Sequence, residues 1–186
     1  MDDPETQIGG RLPGDRPIDT ESMIRVDQAG EYGAARIYAG QLAVMGNRSP
    51  MSGEIGHMKQ QEQRHLDTFN RLMTERGVRP TLLSPLWDAA GFALGAATAL
   101  MGPKAAMACT AAVETEIDRH YGEQRAALGA DTDPELSGHI ADFQAEEAEH
   151  KATAIEHGAE QAAGYPLLSA LIRAGCRAAI TVAKRV

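Results

Sequence analysis

Two halves of this 186-residue chain repeat the same set of metal-binding side chains. Glu31 is followed by Glu62-Gln63-Arg64-His65, and Glu114 by Glu147-Ala148-Glu149-His150, at nearly equal spacing. Each half therefore supplies one lone glutamate and one Glu-x-x-His. Residues three apart on a helix lie about 60° apart around its axis, so Glu62 with His65, and Glu147 with His150, can each reach one point. Carboxylates are hard donors whose two oxygens can bridge two cations, and imidazole adds a neutral nitrogen that suits iron. Four carboxylates balance the charge of two ferrous ions, and six protein ligands leave coordination positions where O₂ can bind. Such a set, drawn from four helices, is the ligand set of a carboxylate-bridged di-metal site in a helix bundle.

A single Glu-x-x-His arises often by chance on charged helices; the repeat gives the pattern its weight. Neighbouring carboxylates Glu116, Glu146 and Glu149 leave the ligand choice open by a residue. The three-residue spacing selects Glu147 over Glu146 and Glu149. It does not decide between Glu114 and Glu116. A ligating histidine donates its second ring N–H to a carboxylate or carbonyl, and Asp27 and Asp118, one turn from Glu31 and Glu114, are candidates for that role. Tyr121 lies seven residues after Glu114, on the same helix face. It can relay protons or electrons near the metals, or pack with its hydroxyl satisfied.

Helices must carry these residues. Residues 1–18 hold several Pro and Gly and no apolar period, and read as a flexible N-terminal arm ahead of a single domain over 19–186. Asp19 or Thr20 caps a first helix to about Val44. Ser49-Pro50 opens a second, to about Arg76, with Gly77 as its stop. Ser84-Pro85 opens a third, to about Met101, and Gly102-Pro103 breaks it. A fourth covers Lys104 to Leu128. Asp133-Pro134 opens a fifth, ending near Ala163-Gly164, and Tyr165-Pro166 a sixth, to about Lys184. The uncharged run Ala89–Met101 is shorter than the roughly 20 residues of a membrane span and reads as a buried or interfacial helix. In the sixth helix Leu168, Leu171, Ile172, Gly175, Ala179 and Ile180 follow helical spacing. Arg173, Arg177 and Lys184 form a basic stripe elsewhere on it, as in helices that lie on anionic membranes, or as a solvated surface face.

Composition narrows the setting. Aromatics make up 4% of the chain, and the abundance of Ala and Gly favours close-packed helices over a sheet. A net charge of −8 argues against a general nucleic-acid binder. Cys109 and Cys176 form no C-x-x-C, so neither a disulfide framework nor a thiolate site is expected, and a reducing compartment is. The acidic N-terminus resembles neither a secretory signal nor an Arg-rich transit peptide.

The stretch Arg25-Val26-Asp27-Gln28-Ala29-Gly30-Glu31-Tyr32-Gly33-Ala34 resembles the first-helix signature of the demethoxyubiquinone hydroxylases, membrane-associated di-iron monooxygenases of ubiquinone biosynthesis. Glu62-x-x-His65, Ala112-Val113-Glu114, His120-Tyr121 and Glu146-Glu147-x-x-His150 follow in the family's order, as do the run Gly91–Ala96 and the ending Ala174–Ile180. Thr181 departs from it, standing where some relatives carry an aromatic. The resemblance implies an all-α, ferritin-like four-helix bundle with additional amphipathic and hydrophobic helical segments. It implies two iron ions per chain on Glu31, Glu62, His65, Glu114, Glu147 and His150, choosing Glu114 over Glu116. It marks Tyr121 and Arg25 for substrate or electron handling. The implied reaction is O₂-dependent hydroxylation of a polyprenylated methoxy-methyl-benzoquinol, with electrons from the quinol or from NADH. No Gly-rich dinucleotide fingerprint appears. The implied setting is an anionic membrane surface, the cytoplasmic face of a bacterial inner membrane, with ubiquinone-biosynthesis proteins as partners. An iron-storage ferritin or bacterioferritin, and a rubrerythrin-like peroxide reductase, share the ligand set and stand as alternatives.

Overall fold

The computed structural model describes residues 18–129 and 132–185. Apart from Ile18, which packs against the core, the expected N-terminal arm lies outside the described residues. Six α-helices follow in order: α1 Thr20–Met45, α2 Ser52–Arg76, α3 Ser84–Leu100, α4 Pro103–Leu128, α5 Pro134–Glu156 and α6 Tyr165–Ala183. No strand occurs among the described residues. The helix boundaries follow local chemistry. Asp19 accepts the Ser22 N–H at 2.9 Å and Asp133 the Leu136 N–H at 3.1 Å, each satisfying a first-turn donor that has no partner within its helix. Prolines occupy the first turns of α3, α4, α5 and α6, where the missing N–H costs nothing.

Two boundaries differ from expectation. Helix α5 stops at Glu156 rather than near Ala163, because Gly158 turns left-handed (φ 85°) and a short 3-10 turn, Ala159–Gln161, follows. Helix α2 starts at Ser52, after a turn in which the Ser49 hydroxyl accepts the Met51 N–H, so Pro50 precedes the helix rather than opening it.

Helices α1, α2, α4 and α5 form the bundle, and the two outer helices clothe it. Helix α3 lies on α1, and α6 on α4. Two apolar layers fill the bundle interior, and two smaller clusters lie beneath the outer helices. One layer gathers Ile24, Phe69, Leu72, Leu128, Ile140 and Phe143; the other layer gathers Tyr38, Ile55, Met58, Met107, Ala111 and Ala154. Along all four bundle helices the glutamates and histidines of the repeat fall between these layers. Most of the molecule's buried charge is thus confined to one slab with hydrophobic packing above and below, a ferritin-like arrangement.

The outer helices are held by different means. Helix α3 approaches α1 so closely that a Cβ on Gly95 would lie 1.9 Å from the Ile37 carbonyl oxygen, and one on Gly40 2.2 Å from that of Phe92. Helix α6 is tied instead by charge. Arg173 Nε and Arg177 Nη1 each donate to Glu116 Oε1 at 2.7 Å, and Arg119 Nε donates to Glu116 Oε2 at 3.0 Å. Glu116 is fully buried. Burial pushes its carboxyl upward, but Arg173, Arg119 and Arg177 outweigh that and hold it below the usual range. Two of the three residues read as a basic membrane stripe are therefore paired with a buried carboxylate, although their side chains stay partly exposed.

Candidate metal centre

The slab between the core layers holds Glu31, Glu62, His65, Glu114, Glu147 and His150, none more than 2% exposed. Helix α1 supplies Glu31, α2 Glu62 and His65, α4 Glu114, and α5 Glu147 and His150. Their donor atoms form two overlapping groups, each with all atoms within 4.8 Å of one another: Glu31, Glu62, His65 and Glu147 in one, Glu62, Glu114, Glu147 and His150 in the other. Glu62 and Glu147 belong to both. The geometry is that of two cation positions sharing two carboxylates.

Charge this concentrated is unstable by itself. Burial, followed by repulsion from Glu147, raises the Glu62 and Glu114 carboxyls well above their ordinary range. Burial works against ionised Glu147 too, but His150 and His65 outweigh it and hold Glu147 near 2. Burial lowers the affinity of His65 for its proton, yet the adjacent Glu147 and Glu31 carboxylates prevail and raise it to about 10. Both Glu62 oxygens, Glu114 Oε2 and Glu147 Oε1 have no hydrogen-bond partner. Buried polar atoms are rarely left so, and a pair of hard cations would satisfy all four. The residues fit a di-metal group on this ground.

Around the six, the sequence repeat extends further than the Glu-x-x-His pattern alone. Tyr121 of α4 donates to Glu31 Oε1, and Tyr38 of α1 donates to Glu114 Oε1 at 2.6 Å. Each tyrosine lies seven residues after one lone glutamate and serves the other. Gln124 donates to Asp27 at 2.7 Å, and its counterpart Gln41 to the Ala106 carbonyl at 3.1 Å and to Thr110 at 3.5 Å. Tyr38 escaped sequence reasoning although its position repeats that of Tyr121. Burial, then the neighbouring carboxylates, hold both phenols well above 10, so they stay donors.

The outer partners of the histidines are not Asp27 and Asp118. Asp27 meets Gln124 and lies 3.4 Å from His120 Nε2, while Asp118 accepts from Gln144. His65 Nε2 lies 3.0 Å from Glu146 Oε2, and His150 Nε2 lies 3.0 Å from Gln61 Oε1. The available signal was position: each residue immediately precedes the glutamate of a Glu-x-x-His. Glu116, the alternative to Glu114, points to the α6 arginines. Arg25 shares no hydrogen bond with the six; its Nε donates to the Arg79 carbonyl at 2.9 Å, between α2 and α3.

Beside the slab runs an apolar groove of about 540 Å³. Helices α1, α3 and α6 form its walls, with Ile117 of α4. Ile117 lies one turn beyond Glu114, and Gly30 of the wall adjoins Glu31, so groove and charged slab share α1 and α4. Small residues such as Ala29, Gly33, Gly91 and Gly175 create the space, and Trp87, Leu94, Leu168 and Ile180 line it. The outer helices and the turn after α3 also expose large apolar side chains: Leu86 and Leu100 on α3, Met101, and Leu167 and Leu171 on α6, of which Leu171 lines the groove. Helix α3, with only Gly95, Thr98 and Ala99 buried, is a surface helix rather than a core one. Helix α6 is long and apolar enough to cross a membrane by length and composition.

Comparison with known proteins agrees with this arrangement. A family profile described as "Ubiquinone biosynthesis protein COQ7" matches residues 19–183. The chain is 53% identical over 178 residues to a protein of Rhodospirillum rubrum named 3-demethoxyubiquinol 3-hydroxylase, covering 95% of this chain and 84% of that one. It is 53% identical over 168 residues to the rat NADPH-dependent 3-demethoxyubiquinone 3-hydroxylase, mitochondrial, covering 89% and 77%. With the 5-demethoxyubiquinone hydroxylase of Saccharomyces cerevisiae it shares 44% over 181 residues, covering 89% and 78%.

Proposed function

This chain belongs to the COQ7 family of ubiquinone-biosynthesis proteins, and from that premise we infer that it is an O₂-dependent hydroxylase of demethoxyubiquinol. The observation that carries the reading is the buried pair of four-residue groups sharing Glu62 and Glu147, in a chain whose relatives are named hydroxylases. Membership also removes the iron-storage and peroxide-reducing alternatives. In the balanced reaction a ring C–H becomes C–OH. One oxygen atom of O₂ enters the ring, the other leaves as water, and two electrons and two protons are consumed.

Glu31 and His65 would help hold one iron and Glu114 and His150 the other, with Glu62 and Glu147 common to both groups. Two iron ions bound there would supply the redox centre and open coordination positions that O₂ activation needs. The protein's own part is positional. The two core layers exclude water from the slab. Tyr38 and Tyr121 fix one oxygen of each terminal glutamate, leaving the other to face a cation. Both phenols keep their protons at neutral pH, so each Oη–H remains a hydrogen-bond donor to its glutamate oxygen.

The groove suits the isoprenoid tail: its lining is almost wholly apolar, and burying each tail CH₂ contributes about 0.8 kcal/mol. The exposed leucines of α3 and α6 suit a peripheral seat on a lipid surface at the groove mouth, where tail and head group can exchange. Arg173 and Arg177 are engaged with Glu116, which leaves Lys184 and Arg185 for anionic head groups. In a bacterial cell that surface is the cytoplasmic face of the inner membrane. The quinol or a reduced nicotinamide supplies the electrons. Arg25 orders the α2–α3 connection that leads into the groove wall.

The test is complementation of a strain blocked at the demethoxy step, with Glu147→Ala as control. The wild-type chain restores mature quinone and the variant does not. Failure of the wild-type chain, expressed and loaded with iron, overturns the substrate assignment.

A further inference from the structure

We propose that Gln61 and Glu146 are positioning residues for the two histidines, and that the difference between them makes the two metal positions unequal. The position of Glu31 and His65 is the tighter one; that of Glu114 and His150 is the weaker. The inference rests on the di-metal reading above.

The support is crosswise. Gln61 on α2 holds the histidine of α5, and Glu146 on α5 holds the histidine of α2, both at 3.0 Å. In each ring Nδ1 faces the carboxylates. His65 Nδ1 lies 3.2 Å from both Glu31 and Glu147, and His150 Nδ1 lies 3.0 Å from Glu147 and 3.2 Å from Glu62. With Nδ1 on a cation the ring proton sits on Nε2, and Nε2–H donates outward. The Gln61 amide is oriented by its own donor: Nε2 reaches Glu146 Oε2 at 3.3 Å, which turns Oε1 toward His150. Gln61 and Glu146 thus form one hydrogen-bonded bar across α2 and α5, linking both histidines.

The bar breaks the repeat between the two halves at one end. Tyr38 and Tyr121 treat the two terminal glutamates alike, and Gln41 and Gln124 are the same residue. Asp27 against Thr110 also departs from the repeat, but neither bonds to a ligand. At the histidines, however, one acceptor is charged and the other neutral. A hydrogen bond to a carboxylate is roughly twice as strong as one to an amide oxygen. It also makes the imidazole a better donor to its cation, and losing such a partner costs about 10- to 100-fold in metal affinity. Arg64 also bonds Glu146 and offsets part of its charge. Arg64 is more than half exposed, so water screens that offset.

The experiment is anaerobic titration of the metal-free, full-length chain with Co(II), followed by its visible absorption, on wild type, Gln61→Glu, Glu146→Gln and the double exchange. Circular dichroism of each metal-free form checks folding, and either single variant suffices if the other does not fold. Wild type is expected to take two Co(II) per chain in two steps, with dissociation constants about 10- to 100-fold apart. Gln61→Glu narrows the gap by tightening the weaker step, and Glu146→Gln narrows it by loosening the tighter one. The double exchange reopens the gap, which mere structural damage cannot do. Two bound Co(II) with a gap unchanged in the folded single variants overturns this inference alone. Fewer than two in wild type overturns the di-metal reading and this inference with it.

Discussion

A methyl group added at Gly95 is the sharpest probe of how the groove is built. A Cβ there would sit 1.9 Å from the Ile37 carbonyl oxygen, 2.8 Å from its carbon and 3.0 Å from Ile37 Cα. Favourable carbon–oxygen contact begins near 3.3 Å, so α3 and α1 must part by roughly 1.4 Å. All three atoms are backbone, and no side chain can rotate aside. Sliding is blocked as well: one turn earlier a Cβ on Gly91 would meet the Gly33 carbonyl oxygen at 2.9 Å, and one on Gly40 would meet the Phe92 backbone from the other side. Overpacking typically costs about 1–3 kcal/mol, and a backbone clash belongs at the upper end. At about 2–4 °C per kcal/mol for a chain of this size, Gly95→Ala should melt about 6–12 °C below wild type. The sign is the decisive part. An ordinary helical glycine gains about 0.5–1 kcal/mol on becoming alanine. Gly56→Ala on α2, with nothing within 4 Å of its Cβ, should therefore melt at or above wild type. Thermal unfolding by circular dichroism compares the two. Because Trp87 and Leu94 of α3 line the groove, Gly95→Ala should also raise KM for a polyprenylated quinol more than for a tail-less analogue, with metal content unchanged. A Gly95→Ala protein that melts with or above wild type would refute the close-approach reasoning.

Other perturbations reach the remaining parts. In the metal-free protein His65 keeps its proton at neutral pH and burial favours the protonated forms of Glu62 and Glu114, so cation binding should release protons and tighten from pH 6 to 8, read by titration in two buffers of different ionisation enthalpy. Raised groups stabilise the fold in their protonated form. The His65 contribution is full below about 6.5 and is lost as pH rises through about 10, and those of the two glutamates are lost above about 4.5. Metal-free protein should therefore melt lower at alkaline pH, and loading with metal should remove that slope. Replacing Glu116 with Gln takes the charge from Arg173 and Arg177; limited proteolysis near Gly164 should quicken while metal stoichiometry stays at two per chain. Serine at Leu86, Leu100 and Leu171 together should lower co-sedimentation with phospholipid vesicles without altering the melting temperature, and unchanged co-sedimentation would remove the lipid seat.

Much of this was legible before any coordinates, because helical period is a local property. The three-residue spacing of Glu62 with His65 and Glu147 with His150 places both on one face in any helix. Capping residues and prolines marked most helix ends to within a residue or two. What stayed hidden depends on how one helix is rotated against another. Nothing local distinguishes Glu114, turned to the slab, from Glu116, turned to α6. Arg173 and Arg177 read as a membrane-facing or solvated stripe because their partner is 57 and 61 residues away on α4. Gly158 ended α5 early through a left-handed turn that a lone glycine does not announce. The histidine supports were missed differently. Asp27 and Asp118 were sought along the glutamates' own helices, whereas Glu146 and Gln61 reach across from the opposite one.

If the buried glutamate–histidine slab uses O₂ to hydroxylate a quinol, the oxygen of the new hydroxyl comes from O₂. The most direct measurement supplies isotopically heavy O₂ to the ferrous-loaded protein with demethoxyubiquinol and a reductant, and weighs the product by mass spectrometry. One heavy atom is expected in the new ring hydroxyl, and that product is expected to be lost when Glu62 is replaced by Gln. Product carrying oxygen from water alone, or formed equally well by Glu62→Gln, contradicts that reading.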